Sequence, residues 1–215
     1  MDIREALYTT RAMRRVKPDL VPLEVQQRIM DAAIRAPSGG NAQGWRFIWV
    51  DDPGLKAKLG PIYRDCLARL WAGLYRERVE LAEKNPDAPA SVAFRKVRSS
   101  AQWLADHFEI YPLILLAYGQ GDPTGASIYP AVWSAQLAAR AEGVGSALTS
   151  VFLFRIAEVN ELLGVPKGWT FHACVTFGYP TGKWGVAPRV PVHKVMHRNR
   201  WDAPIGFTLE KPLWP

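Results

Sequence analysis

Apolar positions along this chain follow two periods, and each period predicts its own kind of element. Residues 2–11 and residues 22–36 carry the three-to-four-residue spacing of helices. The second has Pro22 in its first turn and Val25, Ile29, Ala32 and Ala33 on one face. Trp45–Val50 predicts a strand, and residues 53–84 predict a mostly helical, highly charged stretch ending near Asn85-Pro86. Residues 85–91, with Pro86 and Pro89, read as a loop before a helix at about 92–107. Tyr111–Tyr118 is continuously apolar, as expected of a strand covered on both faces. Residues 127–142 predict a helix with almost no polar face, closed by Gly143, which belongs in a core or an interface. A strand near 146–151, a helix at 155–163 and a strand at 170–178 complete an alternating helix and strand order. The last 35 or so residues, rich in Pro and Trp, show no period and read as an extended arm lying on something else.

Composition narrows the class. The chain has 215 residues, 48% hydrophobic and 22% charged, which fits one globular domain able to bury a full core. No repeat, low-complexity segment or linker divides it. Cys66 and Cys174 make no disulfide framework and no metal spacing, so a reducing compartment is expected. The N-terminus lacks the apolar core of a secretory signal, and the longest strongly apolar run, Ile110 to Tyr118, is too short for a bilayer. A cytoplasmic protein without membrane attachment is the expectation.

The net charge of +7 is unevenly spread. Between Glu161 and Asp202 there is no acidic residue, while Lys167, Lys183, Arg189, Lys194, Arg198 and Arg200 supply six positive charges. Nucleic acid could use such a stretch. It carries no nucleic-acid-binding motif, however, and is broken by Pro180, Pro188 and Pro191. A phosphate-bearing cofactor or a dinucleotide accounts for it equally well, and no nucleic-acid partner is expected.

Two short segments carry the candidate chemistry. Thr10-Arg11-Ala12-Met13-Arg14-Arg15 clusters three guanidinium forks, a geometry suited to phosphate. Ala36-Pro37-Ser38-Gly39-Gly40-Asn41-Ala42-Gln43-Gly44-Trp45 is a loop whose small residues let a flat ligand approach the main chain. Plain structural readings stand beside these: a solvated basic face, and a helix C-cap at Gly39/Gly40 followed by a turn.

Side by side, the segments resemble the nitroreductase family, with its pattern Arg-Ser-x-Arg and then Ala-Pro-Ser-x-x-Asn-x-Gln-x-Trp some two dozen residues later. The resemblance implies an α+β sandwich: a central, mostly antiparallel sheet flanked by helices, in a homodimer with C-terminal arm exchange that holds FMN at the subunit interface. It implies that Arg11 and Arg14 grip the FMN phosphate and ribityl chain, with Ala12, Met13 and Arg15 completing the segment. Pro37, Ser38, Gly39 and Asn41 would touch the flavin from the neighbouring subunit. The amides of Asn41 and Gln43 could meet the O2, N3 and O4 edge of the ring. There are two departures: Ala12 stands where the family usually has Ser, removing a hydroxyl contact, and Gly44 where Pro is common, which should loosen the loop.

Two further segments extend the match. Ala138–Ser150 resembles the family's helix–Gly-x-Gly–strand element, placing Leu148, Thr149 and Ser150 on the flavin N5 side. Phe177-Gly178-Tyr179-Pro180 followed by Pro188-Arg189-Val190-Pro191 resembles the closing element and makes Arg189 a second phosphate ligand. Residues 60–110 fall where the family is variable and places lid helices. Their Tyr63, Trp71, Tyr75, Phe94, Trp103 and Phe108 read as core or as an aromatic substrate box. His107 reads as an ordinary, partly buried histidine, and no metal site is expected. A GxSxG elbow and a complete GxGxxG fingerprint are both missing, so hydrolase chemistry and a Rossmann domain are set aside.

The implied function is that of an FMN-dependent oxidoreductase. Hydride from NADH or NADPH would pass through flavin N5 to a nitroaromatic or quinone-type small-molecule acceptor in a ping-pong cycle, with no catalytic side chain. The same scaffold also hosts dehalogenation, dehydrogenation and flavin fragmentation, and a non-enzymatic FMN store is a further alternative.

Overall fold

In the computed structural model, which describes residues 1–214, the helices are α1 (Ile3–Thr9), α2 (Leu23–Ala33), α3 (Pro53–Ala72), α4 (Arg76–Lys84), α5 (Pro89–Asp106), α6 (Ile128–Ala141) and α7 (Ile156–Leu163). The strands are β1 (Trp45–Val50), β2 (Leu113–Gly119), β3 (Gly145–Thr149) and β4 (Thr170–Gly178). They form one sheet in the order β1-β2-β4-β3, with every neighbouring pair antiparallel. This is the expected α+β layering. Contacts divide the chain into two compact units: residues 12–182, and residues 1–11 with the segment from Lys183 onward.

In the larger unit, every residue of β2 is buried because the strand lies inside the sheet with helices over both faces. Alternate side chains take opposite sides. Leu113, Leu115 and Ala117 join Ala173, Val175 and Phe177 under α2 and α6, whereas Ile114, Leu116 and Tyr118 join Cys174 and Ala147 under α3, α5 and α7. A register shift at Ala117/Tyr118 interrupts the β2–β4 ladder. The nearly all-apolar α6 buries Ala131, Val132, Ala135 and Ala139, and the bidentate pair of Arg28 with Glu142 (both contacts 2.9 Å) joins α2 to its end.

Local chemistry moves several expected boundaries. The long 53–84 helix breaks at Gly73–Tyr75, where Gly73 leaves helical geometry at ψ −95°. The 85–91 loop shrinks to 85–88, because Pro89 is preset for a first helical position and opens α5. Pro22 lies just before α2 rather than inside its first turn. Helix α2 also ends at Ala33, so Gly39/Gly40 do not cap it; residues 39–41 form a separate 3-10 turn. The strand expected to 151 stops at Thr149, and a 3-10 turn over Val151–Arg155 precedes α7.

In the smaller unit, Asp2 caps α1 by accepting the Arg4 N–H at 3.1 Å. The Tyr8 carbonyl accepts from Ala187 N–H at 2.9 Å, and the Tyr8 and Trp214 rings lie 5.9 Å apart. Beyond one turn at Val192–Lys194 the described residues of the C-terminal segment form no regular element. Among the described residues, no helix is long and apolar enough to cross a membrane.

Candidate functional site

The site is built from the edge of the sheet outward. Helix α6 ends at Ala141, and Gly143 beyond it, with a φ of +73°, supplies the left-handed turn that reverses the chain into β3. Gly145 follows for a different reason: a Cβ there would stand 2.8 Å from Met13 Cβ and 3.3 Å from the Gly178 carbonyl. Only a glycine lets residues 12–16 lie this close to β3. The Met13 N–H donates to the Ser146 carbonyl at 2.9 Å, and Ala12 pairs with Ser146 as an isolated parallel bridge. Met13 is buried against the sheet, Arg15 is exposed, and Arg14 is half-buried.

Arg14 is anchored through its backbone. Its carbonyl accepts from the hydroxyl of Tyr111, a fully buried residue just ahead of β2. Burial pushes the Tyr111 hydroxyl well above the usual tyrosine range, so it stays a donor throughout the neutral pH range. The Tyr111 carbonyl in turn accepts from Lys56 Nζ at 2.8 Å.

Arg14, Leu148 and Thr149 line one cavity of about 430 Å³, a size typical of small-molecule sites. Its opposite wall comes from α3, α4 and α5, with Tyr63, Leu67, Trp71, Tyr75, Arg78 and Phe94. Burial raises the Tyr63 hydroxyl far above neutrality, and Thr149 is its hydrogen-bond partner. The Thr149 hydroxyl also accepts from Val151 N–H at 3.3 Å. Among the lining residues there is no carboxylate, while two guanidinium groups are present. Trp71 Nε1 is shut off from solvent without an acceptor. A buried donor left without an acceptor is costly.

A second cavity of about 550 Å³ shares Leu70, Tyr75, Leu148, Thr149 and Val151 with the first and adds Ser150, Leu153 and Phe154. The Pro37–Gln43 loop lies elsewhere. Its Gly39 N–H donates to Ser127 Oγ at 3.2 Å, and Gly39, Ala42 and Gly44 line a pocket of about 220 Å³ against Gln120–Ile128. Within this loop Asn41 and Gln43 hold φ of +54° and +50°, and Gln43 donates to the Asn41 side chain at 3.1 Å. Non-glycine residues in that region store strain of about 1–3 kcal/mol each, which the Ser38 Oγ contact to Gln43 N–H (3.2 Å) helps to hold. Gly44 does not loosen this loop: a Cβ would meet the Gln120 carbonyl at 2.6 Å, so glycine is what allows the close approach. One chain therefore brings Arg14, Leu148 and Thr149 together at one cavity; Gly39 lines another pocket, and Pro37, Ser38, Asn41 and Gln43 line neither.

In the smaller unit, Arg11 donates to the Lys183 carbonyl at 3.1 Å. Arg189 meets only the carbonyl of its own neighbour, Pro188, at 2.8 Å. His107, expected to be partly buried, is instead exposed just past the end of α5, where it stacks on Trp103 at 4.3 Å and pairs with its carbonyl at 2.8 Å. Sequence reasoning missed Tyr111 as the anchor of Arg14, and Arg78 as a cavity residue among the many charges of α4. The position of Tyr111 at the head of the apolar 111–118 run was the available signal.

This arrangement defines an α+β sandwich whose arginine-bearing segment and Gly-x-Gly strand open onto a cavity beneath a helical lid. Residues 7–179 match the model of the Nitroreductase family, and the chain belongs to that family. A protein named NADH dehydrogenase from Thermus thermophilus is 28% identical over 223 residues, covering 91% of this chain and 95% of its own. A 5,6-dimethylbenzimidazole synthase from Rhodobacter capsulatus is 28% identical over 192 residues, covering 83% of both chains. The crystal structure of an iodotyrosine deiodinase bound to FMN and 3-iodo-L-tyrosine aligns with a TM-score of 0.69 and 24% identity, covering 88% of this chain and 95% of that one. That likeness speaks for the fold.

Proposed function

We propose that the protein is an FMN-dependent oxidoreductase acting as a homodimer. The carrying observation is the single cavity that joins Arg14, Leu148 and Thr149 to a lid of Tyr63, Trp71, Tyr75 and Phe94, with no carboxylate on its wall. This donor set fits an anionic cofactor with a flat ring. It offers two guanidinium groups together with apolar and aromatic side chains. Bound there, FMN supplies hydride acceptance from NADH or NADPH at N5 and electron delivery to a nitroaromatic or quinone-type acceptor, in a ping-pong cycle.

The residues of the chain do the rest. Arg14, followed in the chain by Arg15, neutralises the phosphate, and the resemblance of their segments makes Arg11 and Arg189 further candidate ligands. Ala12 and Met13 give the segment its shape. The strand end at Leu148, Thr149 and Ser150 faces the ring at its N5 side. Tyr111 fixes Arg14 through its carbonyl, and the Tyr63–Thr149 pair holds the end of β3 while both hydroxyls remain neutral. The aromatic lid excludes water, which strengthens every charged contact inside. Pro37, Ser38, Gly39, Asn41 and Gln43 reach the flavin from the second copy, in keeping with their separation from the Arg14 cavity within one chain. The arm at about 181–215 exchanges between the two copies.

The name NADH dehydrogenase, carried by one relative, favours NADH or NADPH as the donor. Steady-state kinetics with NADH or NADPH and menadione or 4-nitrobenzamide test this reading. Parallel double-reciprocal lines are expected. Absence of turnover with both donors, in protein that contains FMN, would overturn the donor assignment.

A further inference from the structure

The lid wall of the Arg14 cavity contains a cluster whose composition points to a substrate class. Trp71, Tyr75 and Phe94 form a triangle of rings, with centroids 5.5 Å apart for Trp71–Tyr75, 6.1 Å for Trp71–Phe94 and 6.4 Å for Tyr75–Phe94. Arg78 sits over it, its Cζ 4.9 Å from the Phe94 ring centroid and 5.5 Å from that of Tyr75. All four residues line the cavity.

Arg78 lacks the carboxylate partner that four nearby arginines have. Arg76 pairs with Glu80, Arg69 with Asp65, Arg64 with Glu109, and Arg98 with Glu83. Among the described residues no carboxylate lies within ion-pair distance of Arg78. Its guanidinium rests on ring faces, an arrangement that leaves in-plane N–H groups free for a bidentate anion. One guanidinium without a carboxylate partner, three aromatic rings and no negative charge make a wall complementary to an aromatic ring that bears an anionic group.

We propose that this lid selects aromatic acceptors carrying a carboxylate or a similar anionic substituent, with Arg78 as the residue that recognises the anion. The inference rests on the reading of this cavity as the flavin and acceptor site. It names Arg78 as a specificity residue and leaves electron transfer to the cofactor.

Binding without turnover tests it. The oxidised, FMN-loaded protein is titrated calorimetrically, in the absence of NADH and NADPH, with 4-nitrobenzoate and with its neutral counterpart 4-nitrobenzamide. The wild-type protein is expected to bind the acid roughly tenfold more tightly, as a partly exposed charge-assisted contact gives. Arg78→Gln should reduce that preference to about onefold, and Arg78→Lys should keep part of it. Equal affinities in the wild type, or an unchanged preference in Arg78→Gln with an unaltered thermal midpoint, would overturn the inference. So would an Arg78→Gln defect confined to NADPH over NADH, which would assign the arginine to the donor's phosphate. Protein that contains FMN and turns over yet lacks the preference fails this inference alone; protein that takes up no FMN fails the functional reading beneath it.

Discussion

Replacing Tyr111 by Phe removes one oxygen from the interior and leaves the ring in place. In the structure that oxygen donates to the Arg14 carbonyl, and Tyr111 has no exposed surface. Cavity formation is therefore a small part of the cost. The main part is a polar group left without its partner, which costs about 1–3 kcal/mol. Taking about 2 kcal/mol, and about 2–4 °C per kcal/mol for a chain of this length, the thermal midpoint should fall by about 4–8 °C. Arg14 loses its backbone anchor, so FMN should bind about three- to tenfold more weakly as well. Two assays separate the effects: urea or thermal unfolding for stability, and fluorescence titration of the apoprotein with FMN for affinity. Tyr118→Phe is the control. Its hydroxyl donates to Asn160 Oδ1 at 3.1 Å and the residue is absent from the Arg14 cavity, so it should change stability and leave FMN affinity alone. Wild-type midpoint and wild-type FMN affinity in Tyr111→Phe would refute the anchoring role. Equal affinity losses in both variants would refute its specificity.

Other outcomes follow from the same geometry. Arg14→Ala, and Arg11→Ala in the smaller unit, should each weaken FMN about ten- to a hundredfold while leaving the unfolding midpoint nearly unchanged; unchanged dialysis constants would remove them from the site. Gly145→Ala forces a Cβ to 2.8 Å from Met13 Cβ, so the variant should lose about 1–3 kcal/mol in urea unfolding and weaken FMN with it. A neutral result would mean residues 12–16 shift freely. Burial lowers the His172 pKa below its ordinary 6.5, against the opposing pull of Asp122. Its stabilising contribution is therefore complete above about pH 6.5 and declines as pH falls through 6.5 toward the lower folded value. His172→Gln should flatten the loss of urea midpoint between roughly pH 7.5 and 5.5; identical slopes in the two proteins would contradict this.

Much of the fold was legible because period and apolarity agree with the packing. The continuous 111–118 run became a strand buried on both faces, and the apolar 127–142 stretch became a core helix. Where the expectations slipped, backbone chemistry overrode periodicity. Gly73 broke a helix that the charge pattern carries through, and Pro89 opened one inside a stretch read as loop. In the site, Arg14, Leu148 and Thr149 could be chosen from motif positions. The contact that fixes Arg14 crosses 97 positions of sequence to Tyr111, and no local pattern encodes it. Arg78 was hidden for another reason: one more arginine on a charged helix looks like a solvated face until its neighbours are seen to be paired and it is not.

The central claim is that the Arg14–Thr149 cavity holds a flavin that pyridine nucleotides reduce. The direct measurement is an absorption spectrum of the purified protein between about 300 and 550 nm, before and after anaerobic addition of NADH or NADPH. The account predicts FMN bands near one equivalent per chain, bleached by one of the two donors, and bands largely lost on purification of Arg14→Ala. Colourless protein that takes up no added FMN, or an Arg14→Ala variant that retains the full flavin complement, would contradict it.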